Sequence, residues 1–223
     1  MSEAQSEAAG AAEVKEQVLW AAQEMLRSGL VEGTAGNLGA RLPDGNAVLT
    51  PSSLDYLEMT LDDLVVCAPD GSVVEGHRSP TTEKQLHLAV LNAYPEIGAT
   101  MHCHAKHVQM FAITHQSIPA VVEEFDVYVG GDVECSDYRE TGSQELADEV
   151  AARVATRAAV VMANHGLFAC AKTPKDALHV AALVERTAEV VWGARALGPI
   201  VGVPEEIGAK YASYYRYGRT GKF

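Results

Sequence analysis

The chain has 223 residues, 48% of them hydrophobic and 21% charged, a balance that supports one sizeable core and excludes a largely disordered protein. Its 17 Lys and Arg stand against 30 Asp and Glu, a net charge of −13 with histidines neutral. That charge argues against nucleic acid or an anionic membrane as the main partner, although backbone N–H groups and hydroxyls still hold a small anion locally. No window approaches the ~20 consecutive apolar residues of a membrane span, and Met1–Ala12 lacks the basic and apolar regions of a signal peptide. The cysteines Cys67, Cys103, Cys135 and Cys170 form no C-x-x-C pair and read as buried thiols of a reducing compartment. The expectation is a soluble, cytoplasmic protein.

Residues 1–12 are rich in Ala, Ser and Glu without periodicity, and read as a flexible tail ahead of one domain over 13–223. From Glu13 the apolar set Val14, Val18, Leu19, Ala22, Met25 and Leu26 predicts a helix stopped by Gly29. The segment Gly33-Thr34-Ala35-Gly36-Asn37 reads as a loop. Strands follow at Ala47–Thr50 and Leu64–Cys67, the latter turning through Pro69-Asp70-Gly71 towards Val73-Val74. A helix is predicted from Thr82 to Tyr94, a strand over Ala99–His104 and a helix over Ala105–Thr114. Ser117–Tyr138 reads as strand and turn. Ser143 caps a helix to Arg157, the apolar run Ala158–Met162 reads as a buried central strand, and Phe168–Ala171 as another. Thr173-Pro174 opens a last helix to about Leu197, apolar nearly all round and expected to be buried. Together these elements predict one layered α/β domain without internal repeats.

His102-Cys103-His104 is the sharpest chemical feature. On a strand, alternate side chains share a face, and their Cα atoms lie ~6.5 Å apart, close enough for both imidazoles to reach one metal. Among eight histidines the same pattern also arises by chance. His165 follows the apolar run of a predicted strand, where α/β sheets collect ligands, and is either a third imidazole of an open zinc site or a hydrogen-bonded core residue. His77, His87, His107, His115 and His179 read as structural. Glu83 opens a helix; helix-dipole stabilisation is the simpler reading, and a carboxylate beside the metal the functional one. The loops around Gly36-Asn37, Ser52-Ser53 and Thr81-Thr82 are each a plain turn or, together, a set of phosphate donors.

In this order, Gly33-Thr34-Ala35-Gly36-Asn37, Thr50-Pro51-Ser52-Ser53, Pro80-Thr81-Thr82-Glu83, His102-Cys103-His104, Gly130-Gly131 and Asn164-His165-Gly166 resemble the class II aldolase/adducin-head family, most closely its fuculose-phosphate aldolase branch. The resemblance runs from about Val14 to the C-terminus. It implies a mixed sheet flanked by helices and a homotetramer with active sites at subunit contacts. It makes His102, His104 and His165 ligands of zinc or another divalent first-row metal, with Glu83 as a further ligand and acid/base. Gly36, Asn37, Ser52, Ser53, Thr81 and Thr82 fall where the family holds the substrate phosphate, and Tyr217 resembles the tyrosine of a C-terminal tail that reaches a neighbouring subunit. The implied reaction is cleavage of a ketose 1-phosphate, of L-fuculose 1-phosphate type, to dihydroxyacetone phosphate and an aldehyde through an enediolate.

Three departures accompany the resemblance. Gly39 replaces a common serine, and Ser53 replaces the usual glycine. Glu123 stands where the fuculose-phosphate branch carries a proton-donating tyrosine. A carboxylate there is either a proton-transfer group or a solvated acidic turn. A related methylthioribulose-phosphate dehydratase uses a glutamate in that region, so a dehydratase, a decarboxylase and a 4-epimerase are the alternatives. The epimerase branch carries aspartate at the position of Glu83. The adducin head, a non-catalytic module, lacks the metal histidines.

Overall fold

The computed structural model describes residues 3–222; Met1, Ser2 and Phe223 lie outside the described residues. In chain order the elements are α1 (Glu3–Arg27), β1 (Asn37–Arg41), β2 (Ala47–Leu49), β3 (Val65–Cys67), β4 (Val73–Glu75), α2 (Lys84–Ala93), β5 (Ala99–Cys103), α3 (Lys106–Ile113), α4 (Glu123–Val129), α5 (Gln144–Arg153), β6 (Ala159–Met162), β7 (Gly166–Ala171), α6 (Pro174–Ala194) and α7 (Glu205–Thr220). One seven-stranded sheet runs in the order β4-β3-β2-β1-β5-β7-β6. Its ladders are antiparallel throughout, and the parallel pairing among the described residues is the isolated bridge Cys135–Val161.

Strand periodicity divides the core into two layers. Ala99, Met101 and Cys103 of β5 pack with residues of α1, α3 and α6 such as Met25, Phe111 and Val184. The alternate residues Thr100 and His102 pair with Cys170 and Phe168, which pack with Leu86, Val90, Leu146 and Val150 of α2 and α5. Burying each such aliphatic side chain contributes about 1.5–3 kcal/mol. This second layer brings α2, and the residues that open it, against the face of β5 carrying His102.

Ser143 accepts a hydrogen bond from the Leu146 N–H at the start of α5, and Thr173 does so from Asp176 at the start of α6, with Pro174 in its first turn. Both caps match expectation, each contributing about 1 kcal/mol. The hairpin at Pro69-Asp70-Gly71 also forms, with Asp70 accepting from the Ser72 N–H at 2.9 Å.

Several elements differ from the sequence reading. Within the described part, α1 begins at Glu3 rather than Glu13, because Ala, Glu and Gln favour helix even without an apolar stripe. Residues 37–41 form β1, since pairing with both β2 and β5 outweighs their loop-like composition. Inside the segment read as strand and turn lies α4, which buries Phe125, Asp126 and Val129 and ends at Gly130.

The apolar run over β6 is an edge strand, not a central one. Its outer side is covered by the segment 134–136, with Val161 N donating to Glu134 O and Ser136 N to Val161 O, at 2.9 and 2.8 Å. Helix α6 ends at Ala194 and is buried on one side only, leaving Val190 and Trp192 about half exposed.

The C-terminal segment forms α7, whose Arg219 donates to Glu96 and to the carbonyls of Val154 and Arg157 in its own chain. The four cysteines are free, three of them buried. Burial pushes the thiols of Cys103 and Cys170 up to about 12, so they are inert. Among the described residues, no helix is long and apolar enough to cross a membrane.

Candidate metal centre

His102 lies in β5 and His104 just past its end, so period-two geometry turns both imidazoles to one side. Their Nε2 atoms are 3.0 Å apart. His102 is fully buried, and its Nδ1–H donates to the Leu167 carbonyl at 2.9 Å. That contact selects the tautomer with an unprotonated Nε2 facing the cluster, the arrangement a metal ligand needs. Burial drives the His102 pKa down to about 3 and also lowers that of His104.

His165 comes from the tight turn between β6 and β7. Its ring centroid lies 4.5 Å from that of His102 and 5.2 Å from that of His104. One nitrogen from each of the three rings lies within 4.8 Å of the others. The approach depends on Gly166. A Cβ there would run into the Cys103 carbonyl and lie 3.2–3.3 Å from the rings of His104 and His102.

Glu83 is the residue just before α2, yet its side chain makes no capping bond. The carboxylate turns into the cluster instead, with Oε2 at 3.3 Å from His102 Nε2 and Oε1 at 3.6 Å from His165 Nε2. The helix-dipole reading of Glu83 is therefore displaced by its place among the imidazoles. Burial opposes its ionisation, but the adjacent His102 and His165 rings and a 2.8 Å hydrogen bond from Asn37 Nδ2 hold the carboxyl below its ordinary value.

Glu83 Oε1 and His165 Nδ1 are buried without a hydrogen-bond partner, a costly state in a closed protein. A divalent cation among three imidazoles and this carboxylate removes the cost for Oε1. The donor set fits zinc, and other first-row ions equally well.

The expected phosphate loops border this cluster. Asn37 pairs with His102 across the β1–β5 ladder. Gly36 has φ of +76°, and a Cβ there would lie 2.7 Å from the His102 carbonyl, so glycine alone fits. The buried Tyr56 hydroxyl donates to the carbonyls of Ala35 and Gly36, at 3.1 and 2.6 Å, fixing this loop from below. The other two loops are tied together by the Pro51–Pro80 bridge, by Ser52 N donating to Ser79 O and by Thr81 N donating to Thr50 O. Ser52 and Ser53 hydroxyls lie 3.4 Å apart, while Thr81 is buried and Thr82 exposed. Ser53 has φ of +57°, which explains the glycine expected there; serine in this conformation costs about 1 kcal/mol. Gly39 lies buried inside β1, away from the loop tip.

Two expected site residues are not gathered. Glu123 is the exposed first residue of α4, and its side chain makes no hydrogen bond or ion pair among the described residues. Tyr217 is half exposed on α7. One residue read as structural is drawn in: His87, fully buried on α2, has its Nε2 2.6 Å from Asn37 Oδ1. Its place one helical turn after Glu83 was the available signal.

Residues 16–192 match the family model described as the class II aldolase and adducin N-terminal domain. The chain belongs to the class II aldolase and adducin family. This class II aldolase-family enzyme is 32% identical to a 5-deoxy-D-ribulose 1-phosphate aldolase of Bacillus thuringiensis serovar kurstaki, over 86% of its own length and 90% of that relative's. It is 34% identical to an L-ribulose-5-phosphate 4-epimerase of Salmonella paratyphi B, over 83% and 87% of the two chains. A solved L-fuculose 1-phosphate aldolase superposes with a TM-score of 0.87 at 30% identity, covering 92% of this chain and 96% of that one.

Proposed function

We propose that this chain is a divalent-metal-dependent aldolase, zinc being the resident ion, that cleaves a ketose 1-phosphate of L-fuculose 1-phosphate type to dihydroxyacetone phosphate and an aldehyde. The observation that carries the reading is the unpartnered, buried Oε1 of Glu83 beside three convergent imidazoles. When bound, the ion supplies Lewis-acid polarisation of the substrate carbonyl. His102, His104 and His165 hold it through neutral ring nitrogens, with Glu83 as a further ligand in the resting site. In cleavage a base takes the C4 hydroxyl proton, the C3–C4 bond breaks, and its electron pair passes to C3. The Glu83 carboxylate takes up a proton from water and passes it to C3, which restores the carboxylate.

Gly36, Asn37, Ser52, Ser53, Thr81 and Thr82 hold the phosphate through hydroxyls and backbone N–H groups close to the start of α2, where the helix dipole favours an anion. The enzyme acts in the cytoplasm as a homotetramer, and Tyr217 completes the site of a neighbouring subunit. Glu123 exchanges the C4 hydroxyl proton. Replacing Glu123 by Gln is then expected to lower kcat by about 100-fold, as loss of a general acid/base does; near-wild-type kcat leaves it a solvated residue at the start of α4.

The epimerase relative favours a second reading, exchange of configuration at C4 on the same site. Glu83, at the position where the resemblance puts aspartate in epimerases, argues against it. The test supplies metal-loaded protein with L-fuculose 1-phosphate, 5-deoxy-D-ribulose 1-phosphate, L-ribulose 5-phosphate and methylthioribulose 1-phosphate. Release of dihydroxyacetone phosphate from a ketose 1-phosphate is expected. An epimerised or dehydrated product with no dihydroxyacetone phosphate overturns the aldolase reading.

A further inference from the structure

Behind the carboxylate runs a line of buried side-chain hydrogen bonds through Asn37, His87 and Thr100 that no step of the reaction breaks or forms. Asn37 Nδ2 donates to Glu83 Oε2 at 2.8 Å. On its other side Asn37 Oδ1 lies 2.6 Å from His87 Nε2, and His87 Nδ1 lies 2.7 Å from the Thr100 hydroxyl. Thr100 and His87 have no solvent exposure, and Asn37 and Glu83 have 5% and 6%. The line connects α2, which follows directly on Glu83, with β1 and β5, which carry Asn37 and His102.

The chemistry of each group fixes the direction of every bond. A carboxylate only accepts, so Asn37 must present its NH2 to Glu83 and its carbonyl oxygen to His87. That oxygen also only accepts, so the proton of His87 sits on Nε2. Burial disfavours the imidazolium, driving the His87 pKa down to about 4, and leaves Nδ1 bare. The Thr100 hydroxyl then donates to Nδ1; its contact with the Gly39 carbonyl, at 3.2 Å, is the longer of the two. The other orientation of the Asn37 amide sets oxygen against the Glu83 carboxylate and NH2 against the His87 N–H, so it is disfavoured at both ends.

We infer that His87 is a positioning residue for Glu83: acting through Asn37, it fixes Oε2, which lies 3.3 Å from His102 Nε2, and so leaves Oε1 without a hydrogen bond at 3.6 Å from His165 Nε2. Its ring is itself placed by Thr100 and by the Phe168 ring, whose centroid is 5.8 Å away. Such outer partners set ligand orientation, and losing one typically costs about 10–100-fold in metal affinity or activity. The kinetic arm of the test rests on the aldolase reading; the other arms do not.

The first arm is a long-range 1H–15N correlation spectrum of protein labelled with 15N-histidine, the His87 signals being assigned by their absence in His87→Gln. His87 is expected to show a protonated Nε2 and a hydrogen-bonded, bare Nδ1. In Thr100→Val, which removes only the hydroxyl donor, the Nδ1 resonance is expected to move to the position of a free nitrogen. A proton on Nδ1 in the wild type, or no change in Thr100→Val, overturns the inference.

The second arm titrates metal-free protein with Co2+ alone, and the third measures kcat and KM. The substitution His87→Leu is expected to weaken Co2+ binding and lower kcat by about 10–100-fold, with KM changed far less. His87→Gln, whose amide nitrogen stands where Nε2 stood, is expected to recover most of both. Equal losses in the two variants assign His87 to packing and overturn the inference, as does an unchanged Co2+ affinity in both. A wild type that binds Co2+ and shows the predicted tautomer, yet cleaves none of the sugars, sinks the aldolase reading and leaves this inference standing.

Discussion

Replacing His104 by alanine is expected to lower turnover by at least about three orders of magnitude. A bound cation contributes several kcal/mol of transition-state stabilisation, and about 4 kcal/mol corresponds to that factor. His104 is one of three imidazoles whose nitrogens lie within 4.8 Å of one another, and its partner His102 is committed through Nδ1 to the Leu167 carbonyl. No other described side chain stands ready to take its place. The ring is half-buried just past the end of β5, so its removal leaves the sheet pairing intact. Metal content after dialysis, measured beside the melting temperature, checks this. The expected result is lost metal and lost activity, with a melting temperature close to that of metal-free wild type. Wild-type turnover in this variant would remove the metal-centre hypothesis.

A second large effect is expected from Gly166→Ala, where a single added methyl disturbs both sheet and site. That methyl meets the Cys103 carbonyl and presses on the rings of His104 and His102, at 3.2 and 3.3 Å. Gly166 opens β7 and pairs with Met162 of β6, while its neighbour Leu167 pairs with Cys103 of β5. Neither strand yields without opening a ladder, so the clash is expected to cost about 1–3 kcal/mol, as overpacking does. It also drives β7, with His165 just before it, away from β5. A lower melting temperature should therefore accompany weaker metal binding and a turnover loss approaching that of His104→Ala. Calorimetry and metal titration on the same preparation check it. Full metal affinity in the variant would show that His165 does not depend on this close packing.

Both effects rest on features of different legibility. The pairing of His102 with His104 follows from strand periodicity alone, because residues two apart share a face whatever the sheet around them. The caps at Ser143 and Thr173 and the turn at Pro69-Asp70-Gly71 were equally readable, since each is decided within a few residues. Composition also limited the class: an apolar share of 48% with a net charge of −13 describes a folded, acidic domain.

The fold decided what those local rules leave open. Glu83 looks the same in sequence whether it serves the helix dipole or a metal; only the packing of α2 on β5 turns its carboxylate to the imidazoles. The run over β6 reads as central, and becomes an edge because a distant segment, 134–136, covers its outer side. Helix α4 and strand β1 are short, so neighbours rather than propensity settle their state. His87, set aside as structural, acquires its role from residues on two other elements, Asn37 and Thr100. Spacing along the chain specifies which side chains share a face. Which faces meet, and which polar atoms are left to find partners across them, is a property of the packed layers.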